Sequence, residues 1–396
     1  MSRMSLRRNR VSTLRIALAV CVVAGACRQE EPSRGQVQAE THGPVTIAAP
    51  WPWGSRTTLL YGRGLQMAVD EINAAGGVLG RPLTMLREDD HESVDRGRLV
   101  AQRFAQNLDV VAVIGHMQSY VSLPAAAIYD LSGLVHLAPT ATDPRLTEQG
   151  YRRLFRMTFT DREIGAQMAE FAAARDYDRI AIYYIRNAYG RGLANAFEER
   201  ALEQNIVIAD RQSYDPNSVA GERALTGILA AWRDLDLRAI FVAGEPRQAA
   251  AMIRAARASD IAVPVLGGDA LGTSSFVSLG GRAVDGTVIA AAFHPADERE
   301  EVQRFSAAFR QRYGDLPDAS AALGYDAVRL LAHGITRAGS VDPDAVAEAL
   351  RTTAGWRGVT GPVAFTDGGD LVERVIGKVV VRDGQLAWLG DGVGEN

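Results

Sequence analysis

Small polar residues follow two consecutive apolar segments in the first half of the chain. Val110–Ile114 is a mostly β-branched run, typical of a strand buried on both faces, and Ser119 follows it just ahead of a helical segment. The next predicted strand leads into three small residues, Thr140, Ala141 and Thr142. Hydroxyls and a helix N terminus can receive a carboxylate, and open α/β sheets bind ligands at the carboxyl edge of their strands. We therefore predict half of a cleft for a small ligand, in which free backbone carbonyls and amides of residues 140–142 take part.

Catalytic motifs are missing from the sequence. The six histidines form no HExxH pair, and the chain has no GxSxG elbow, no P-loop and no full dinucleotide-binding fingerprint. His116 follows a strand and allows two interpretations, a catalytic base or a buried structural histidine; the second is favoured because no nucleophile accompanies it. The acidic run Glu88–His91 is interpreted as a solvated loop rather than a cation site. We expect a protein that is not an enzyme and that needs no metal or cofactor.

The N-terminal segment resembles a bacterial lipoprotein signal. Five arginines precede the apolar run Ile16–Val23, which is followed by Ala24-Gly25-Ala26-Cys27. A plain secretory signal cut near Cys27 is the alternative, but the only other cysteine lies inside the leader, so lipidation is the role that remains for Cys27. We expect a signal peptide at 1–26 and a lipidated polar tether at 27–43, which anchors the protein to the membrane. Loss of residues 1–26 removes five Arg and no acid and changes the net charge from −4 to −9, which argues against nucleic acid as a partner.

The rest of the chain alternates between strand-like and helix-like patterns. A length of 396 residues exceeds what one apolar core usually supports, so two lobes are expected. One series of strands and helices runs from Val45 to Thr158, and a second series starts at Ile180. Hairpin-like strands follow between Val363 and Trp388. The alternation predicts a doubly wound α/β architecture.

Six short motifs follow one another along the chain. They are AVDEINAAGGV at 68–78, AVIGH at 112–116, APTATDP at 138–144, YGRG at 189–192, GYDA at 324–327 and GVTGPVAF at 358–365. One such motif is weak evidence, but their order and spacing together resemble the type I periplasmic binding proteins of branched-chain amino acid ABC importers, the Leu/Ile/Val-binding class. The resemblance covers roughly residues 44–390.

The resemblance implies an α/β fold of two lobes, each a mostly parallel doubly wound sheet flanked by helices, joined by three hinge crossovers. Residues 44–160 plus 293–366 would form the N-terminal lobe and 161–292 plus 367–390 the C-terminal lobe, with crossings near Thr160, Phe293 and Thr366. It also implies a periplasmic receptor, usually a monomer, that captures an amino acid or related small solute and delivers it to ABC permease and ATPase subunits. A ligand sensor of the same fold, acting through a separate signalling partner, is the alternative function.

The resemblance further assigns roles at the head group of an amino acid. Ser119 matches a serine that binds the carboxylate. Thr140 and Thr142 match the pair that flanks Ala141, where the head group is held. Asp269 matches an acid that pairs with the ammonium group, and a solvated loop aspartate is its alternative.

The side-chain end of the cleft departs from the family pattern. Tyr61 and Tyr189 match aromatic residues of the cleft, although each can be an ordinary residue at the start of a helix. Glu245 stands where branched-chain amino acid binders commonly have an aromatic residue, and Trp51-Pro52-Trp53 adds large rings to the first loop. A carboxylate beside an aliphatic ligand would lose hydration without compensation. If Glu245 faces the ligand rather than solvent, we expect a polar or cationic amino acid or another small amine or amide.

Overall fold

The computed structural model describes residues 34–40, 42–55, 59–217, 221–372 and 374–390. The expected signal peptide and the expected lipidation residue Cys27 lie outside these described residues. None of the helices within them is long and apolar enough to cross a lipid bilayer. The fold is therefore described for residues 34–390, with the gaps given above.

Strands and helices alternate along the chain. The strands are β1 Val45–Trp51, β2 Leu83–Asp89, β3 Val110–Ile114, β4 Val135–Ala138, β5 Leu154–Arg156, β6 Arg179–Ile185, β7 Val207–Tyr214, β8 Ala239–Ala243, β9 Val265–Gly267, β10 Val288–Ala291, β11 Trp356–Gly358, β12 Gly361–Val363, β13 Gly377–Arg382 and β14 Gln385–Gly390. The helices are α1 Arg34–Glu40, α2 Leu59–Ala74, α3 Val94–Gln106, α4 Ser119–Leu131, α5 Asp161–Ala173, α6 Ala188–Glu203, α7 Gly221–Trp232, α8 Pro246–Ala258, α9 Ser274–Gly280, α10 Glu300–Tyr313, α11 Ala319–Ala338 and α12 Pro343–Arg351.

The first sheet consists of five parallel strands in the order β2-β1-β3-β4-β5. Every residue of β1 and β3 is buried, as expected for strands that are covered on both faces. Helices α2 and α11 pack against each other so closely that a side chain at Gly64 would clash with the backbone of Ala321. The carboxyl ends of β3 and β4 are neighbours. The polar residues that follow these two strands therefore reach the same edge of the sheet.

The second sheet contains seven strands in the order β14-β13-β10-β9-β8-β6-β7. Strands β10, β9, β8, β6 and β7 run parallel, while β13 is antiparallel to β10 and forms a hairpin with β14, as the C-terminal pattern predicts. The sheet has its own apolar cores, in one of which Phe197 stacks on Phe241 with ring centroids 3.9 Å apart. Two mostly parallel sheets with separate cores confirm the predicted two-lobed α/β fold.

The chain passes three times between the core of the first sheet and the cores of the second sheet. The core residues on either side of the crossings are Met157 and Phe159, Ala291 and Phe293, and Leu371 and Ile376. The first two crossings lie next to Thr160 and Phe293. The third lies a few residues beyond Thr366, because Leu371 still packs in the core of the first sheet.

Helix α1 occupies part of the segment that the sequence predicts to be a polar tether. Arg34 is 6% exposed, and its guanidinium donates hydrogen bonds to the carbonyl oxygens of Asn107 at 2.7 Å and Val110 at 2.6 Å. Gln38 donates to the carbonyl oxygen of Leu108. These carbonyls lie at the amino edge of the first sheet. The segment packs there as a helix because its polar side chains have hydrogen-bond partners at that edge.

Candidate functional site

Residues 140–143, named here the ligand loop, follow β4 at the carboxyl edge of the first sheet. Thr140 is half-buried, and its hydroxyl donates a hydrogen bond to the carbonyl oxygen of Met117 at 2.9 Å. The carbonyl oxygen of Ala141 accepts a hydrogen bond from Arg156 at 2.5 Å. Groups that the sequence predicts to be free for a ligand are thus engaged inside the protein. A carbonyl oxygen with one donor keeps a second lone pair, so the loop is held in place without losing all its acceptors.

Ser119 begins α4 beside the ligand loop and is 4% exposed. Its hydroxyl oxygen accepts hydrogen bonds from the amides of Thr142 at 3.1 Å and Asp143 at 3.3 Å. Among the described residues no acceptor takes the hydroxyl proton, and the N-cap residue of α4, Gln118, makes no side-chain capping bond. An anion at this helix end can therefore accept from Ser119 and from the first amides of α4.

Asp161 is a candidate residue that the sequence analysis missed. It is the first residue of α5, it is 0% exposed, and within the described part of the chain neither carboxylate oxygen has a hydrogen-bond partner. Its amide donates to the carbonyl oxygen of Thr142 at 2.8 Å, which joins it to the ligand loop. Burial raises the pKa of Asp161 well above its usual range; the nearby Thr142 hydroxyl opposes this shift, and the charge of Asp269 adds to it. The charge of the buried Arg156 also lowers the pKa of Asp161, but burial dominates, so a further cation beside this carboxyl group would stabilise its ionised form.

A capping box fixes the position of Asp161. The Thr160 hydroxyl accepts a hydrogen bond from the Glu163 amide at 3.2 Å, and the Glu163 carboxylate accepts one from the Thr160 amide at 2.7 Å. Gly192 of α6 makes room for the carboxylate, since a Cβ at that position would lie 2.6 Å from it. The T-x-x-E spacing directly after the first crossing is the sequence signal that points to Asp161.

Tyr189 and Asp269 come together from α6 and from the turn after β9. The Tyr189 hydroxyl donates a hydrogen bond to Asp269 Oδ1 at 3.0 Å and accepts one from the Ala270 amide at 3.4 Å. Burial raises the pKa of both side chains, and the charges of Asp269 and Asp161 raise that of Tyr189 further. Gly268 allows this approach, because a Cβ there would lie 2.6 Å from the Tyr189 hydroxyl. The half-buried carboxyl group of Asp269 and the fully buried one of Asp161 thus act on the same tyrosine.

Glu245 lies half-buried at the N cap of α8, at the carboxyl end of β8. Its amide donates a hydrogen bond to the hydroxyl of Tyr214 at 3.0 Å. Burial raises the pKa of Glu245, and so does the charge of Glu92, which lies in the turn after β2. Burial also raises the pKa of Tyr120, the residue after Ser119, and the charges of Glu92 and Glu245 add to that shift. The charge of Glu92, which no sequence motif marks, therefore acts on both Glu245 and Tyr120.

The structure does not bring Tyr61 to this group of residues. Its side chain is 0% exposed and stacks on Trp51, with ring centroids 3.6 Å apart. Its hydroxyl donates a long hydrogen bond of 3.4 Å to the carbonyl oxygen of Ile114, and its ring packs against Gly324 of α11. Tyr61 is therefore a core residue at the start of a helix, which is the alternative given for it above.

His116 belongs to a buried polar network. Its Nδ1 lies 2.6 Å from Asp90 Oδ2, and its Nε2 lies 2.9 Å from the hydroxyl of Tyr129. The acidic run is therefore only partly the solvated loop predicted, because Asp90 is buried with an imidazole and Glu88 pairs with Arg103. In the part of the chain that the structure describes, no group of three or more His, Cys, Asp or Glu residues could hold a metal ion.

Known proteins resemble the chain over both sheets. The family described as "Periplasmic binding protein" matches residues 54–380. The Leu/Ile/Val-binding protein homolog 1 of Brucella abortus is 28% identical over 309 residues, which are 78% of this chain and 81% of that protein. An ABC transporter substrate-binding protein from Desulfitobacterium hafniense, solved in complex with Leu, is 35% identical with a TM-score of 0.78 over 87% of this chain and 100% of that chain. A leucine-binding protein from Thermotoga maritima is 26% identical with a TM-score of 0.79 over 87% of this chain and 97% of that chain. Since the family match spans both sheets, the chain belongs to the periplasmic binding protein family.

Proposed function

We propose that this chain is a periplasmic receptor that binds an amino acid between its two lobes. The observation that carries the proposal is Asp161, a fully buried carboxyl group whose oxygens accept no well-formed hydrogen bond among the described residues, although the Thr142 hydroxyl lies nearby. It lies across the ligand loop from Ser119, whose hydroxyl proton and helix end are suited to an anion. An amino acid carries a cation and an anion on neighbouring atoms. It would therefore complement both groups at once.

In this proposal the ligand carboxylate binds at the start of α4. The Ser119 hydroxyl donates to it while its oxygen keeps the hydrogen bond from the Thr142 amide, because a hydroxyl can accept and donate at the same time. The first amides of α4 and the helix dipole add to the attraction. Thr140 and Thr142 border this position in the ligand loop.

The ligand ammonium group is assigned to two acids, the fully buried Asp161 and the half-buried Asp269. Each has a pKa raised by burial, so a bound cation would stabilise the ionised form of both. Tyr189 orients Asp269 through its 3.0 Å hydrogen bond. The second lone pair on the Ala141 carbonyl is a further acceptor.

The side chain of the ligand is expected to be polar or cationic. Relatives are named for binding Leu, Ile and Val, and one solved neighbour holds Leu. In this chain, however, the half-buried carboxylate of Glu245 is repelled by the charge of the exposed Glu92, and an aliphatic ligand group would supply no counter-charge to either. A ligand ammonium, guanidinium or amide would relieve that repulsion.

Delivery to a membrane transporter follows from closure of the lobes. We propose that the lobes rotate about the three crossings, so that permease and ATPase subunits distinguish the ligand-bound form by its shape. Cys27, carrying the lipid, would hold this periplasmic receptor at the membrane as a monomer. No catalytic step is part of the proposal.

A thermal-shift screen tests the function. The chain without residues 1–27 is heated with each of the common amino acids and with small amines, amides and carboxylates. A ligand present at a hundred times its dissociation constant adds about 2.7 kcal/mol of stability. Stabilisation by one chemical group of amino acids supports the proposal, and the absence of any shift across the panel contradicts it.

A further inference from the structure

Among the described residues, Arg156 is the largest charged side chain that is fully buried. It ends β5, it is 0% exposed, and its guanidinium makes four hydrogen bonds. Nη1 donates to the Ala141 carbonyl at 2.5 Å, and Nη2 donates to the Asp143 carbonyl at 2.9 Å and to the Thr147 hydroxyl at 3.0 Å. Nε donates to Asp370 Oδ1 at 2.7 Å. One planar group thus binds two carbonyls of the ligand loop and one carboxylate from a distant part of the chain.

Asp370 belongs to the segment that leads into the third crossing. Its second oxygen, Oδ2, accepts a hydrogen bond from the Thr147 hydroxyl at 2.8 Å. The Arg156 amide donates to the carbonyl of Gly369 at 2.8 Å. Gly369 has a φ of +90°, and a Cβ there would lie 2.1 Å from the Leu154 carbonyl oxygen, so only glycine permits this approach. Backbone and side chain together hold the segment before the crossing against β5.

The guanidinium determines which way the peptide groups of the ligand loop point. The carbonyls of Ala141 and Asp143 point toward Arg156, while the amides of Thr142 and Asp143 point toward Ser119 Oγ. Rotation of the peptide group that carries the Ala141 carbonyl, or of the one that carries the Asp143 carbonyl, would break a hydrogen bond to the buried guanidinium. Hydrogen bonds to charged groups are stronger than those between neutral groups. The orientation of the Ser119 hydroxyl follows from the same amides.

We propose that Arg156 and Asp370 are positioning residues that set the shape of the ligand loop and couple it to the third crossing between the sheets. Arginine suits this role because its fork of donors is rigid and remains charged. If the segment before the crossing moves away, the buried guanidinium of Arg156 loses its partner carboxylate, Asp370. Arg156 and the ligand loop bound to it must then move with that segment. The shape of the loop is therefore tied to the segment that leads into the third crossing. This proposal rests on the proposed function in one respect, that residues 140–143 contact the ligand.

Hydrogen–deuterium exchange of the full chain in mild detergent tests the coupling. In Asp370→Asn, which removes the charge but keeps the size of the side chain, we expect amides in the peptide 139–147 to exchange at least about tenfold faster than in the wild type. Thr147→Val, a milder change that removes the hydroxyl between Arg156 and Asp370, should give a smaller acceleration in the same peptide. The matched control is Asp344→Asn, which breaks the 2.7 Å ion pair with Arg153 at the amino end of β5. That variant should leave the peptide 139–147 unchanged.

Two results would overturn the proposal. One is unchanged exchange at 139–147 in both Asp370→Asn and Thr147→Val, and the other is an acceleration spread evenly over the first sheet, which a merely structural loss of stability would give. If Asp370→Asn does not fold, Thr147→Val alone decides. The exchange result needs no ligand. If amino acids fail to bind the wild type, the proposed function fails while the coupling is still tested.

Discussion

Replacement of Asp161 by asparagine should make the protein more stable and a weaker receptor. The side chain is 0% exposed and its oxygens accept no well-formed hydrogen bond in the described structure. The Thr142 hydroxyl and the charge of Arg156 only partly offset the effect of burial on its pKa, so the ligand-free protein holds an incompletely compensated acid. Asparagine has the same shape and no charge. The change therefore removes the cost of the acid in the absence of ligand and removes the partner of the ligand ammonium in its presence.

Both effects have an expected size. A polar group buried without a hydrogen bond costs about 1–3 kcal/mol in mutational data, and an amide at the same place recovers part of that cost, so we expect a gain of about 1 kcal/mol in the free energy of unfolding near neutral pH. A hydrogen bond to a charged partner contributes about 1.5–3 kcal/mol, so loss of the charge should weaken amino acid binding about 10- to 100-fold.

The stability gain should depend on pH in a definite direction. The folded state raises the pKa of Asp161, so it holds the proton more tightly than the unfolded chain does. The stability from this group is complete below the unfolded pKa of about 3.9 and is lost as the pH rises through the higher folded value. The advantage of Asp161→Asn over the wild type should therefore be smallest in acid and grow as the pH rises.

Urea unfolding at several pH values, together with calorimetric titration of an amino acid that stabilises the wild type, measures both effects. The matched control is Asp297→Asn, an acid that already pairs with Arg299 at 2.7 Å and so should lose stability rather than gain it. A variant Asp161→Asn that is less stable than the wild type at pH 8, or that binds the amino acid equally well, would refute the role given to Asp161.

The other predictions concern single side chains of the site. Glu245→Gln should lower the affinity for L-lysine or L-arginine relative to L-leucine, and an unchanged order of preference in calorimetry would count against Glu245 as a selector. Ser119→Ala removes the acceptor of two loop amides, so it should cost about 1–2 kcal/mol in urea unfolding and lower amino acid affinity; an unchanged affinity would exclude its role in holding the carboxylate. Tyr61→Phe should leave amino acid affinity unchanged, because its hydroxyl makes only a 3.4 Å hydrogen bond inside the core. Tyr189→Phe should lower the affinity at neutral pH, because Asp269 loses a hydrogen-bond donor. Equal effects of the two substitutions in calorimetric titrations would contradict this distinction.

The sequence predicted the fold well because its signals are local and repeated. Buried strands such as Val110–Ile114 are continuous apolar runs, and helix-like segments separate them regularly. The C-terminal hairpin was also visible. The helix at Arg34–Glu40 was not predicted, since its stability comes from carbonyl partners near residue 107 that only the folded chain brings close.

The site was harder to predict because it depends on orientation. Tyr61 stands at the start of a helix, as Tyr189 does, and nothing in the sequence tells that one ring points into the core and the other toward Asp269. The carbonyl of Ala141 was expected to be free, but Arg156 reaches it from the next strand. Asp161 carries a local signal in its capping box, yet its lack of a partner is a property of the tertiary structure alone.

Calorimetric titration with charge-deleted analogues tests the central claim most directly. An amino acid that stabilises the chain without residues 1–27 is compared with the corresponding amine, which lacks the carboxylate, and with the corresponding acid, which lacks the α-ammonium group. A site that holds both charges predicts one bound amino acid per chain and at least about tenfold weaker binding of each analogue, which corresponds to about 1.4 kcal/mol or more. Equal binding of either analogue, or no binding of any of the common amino acids, would contradict an amino acid receptor built around Ser119 and Asp161.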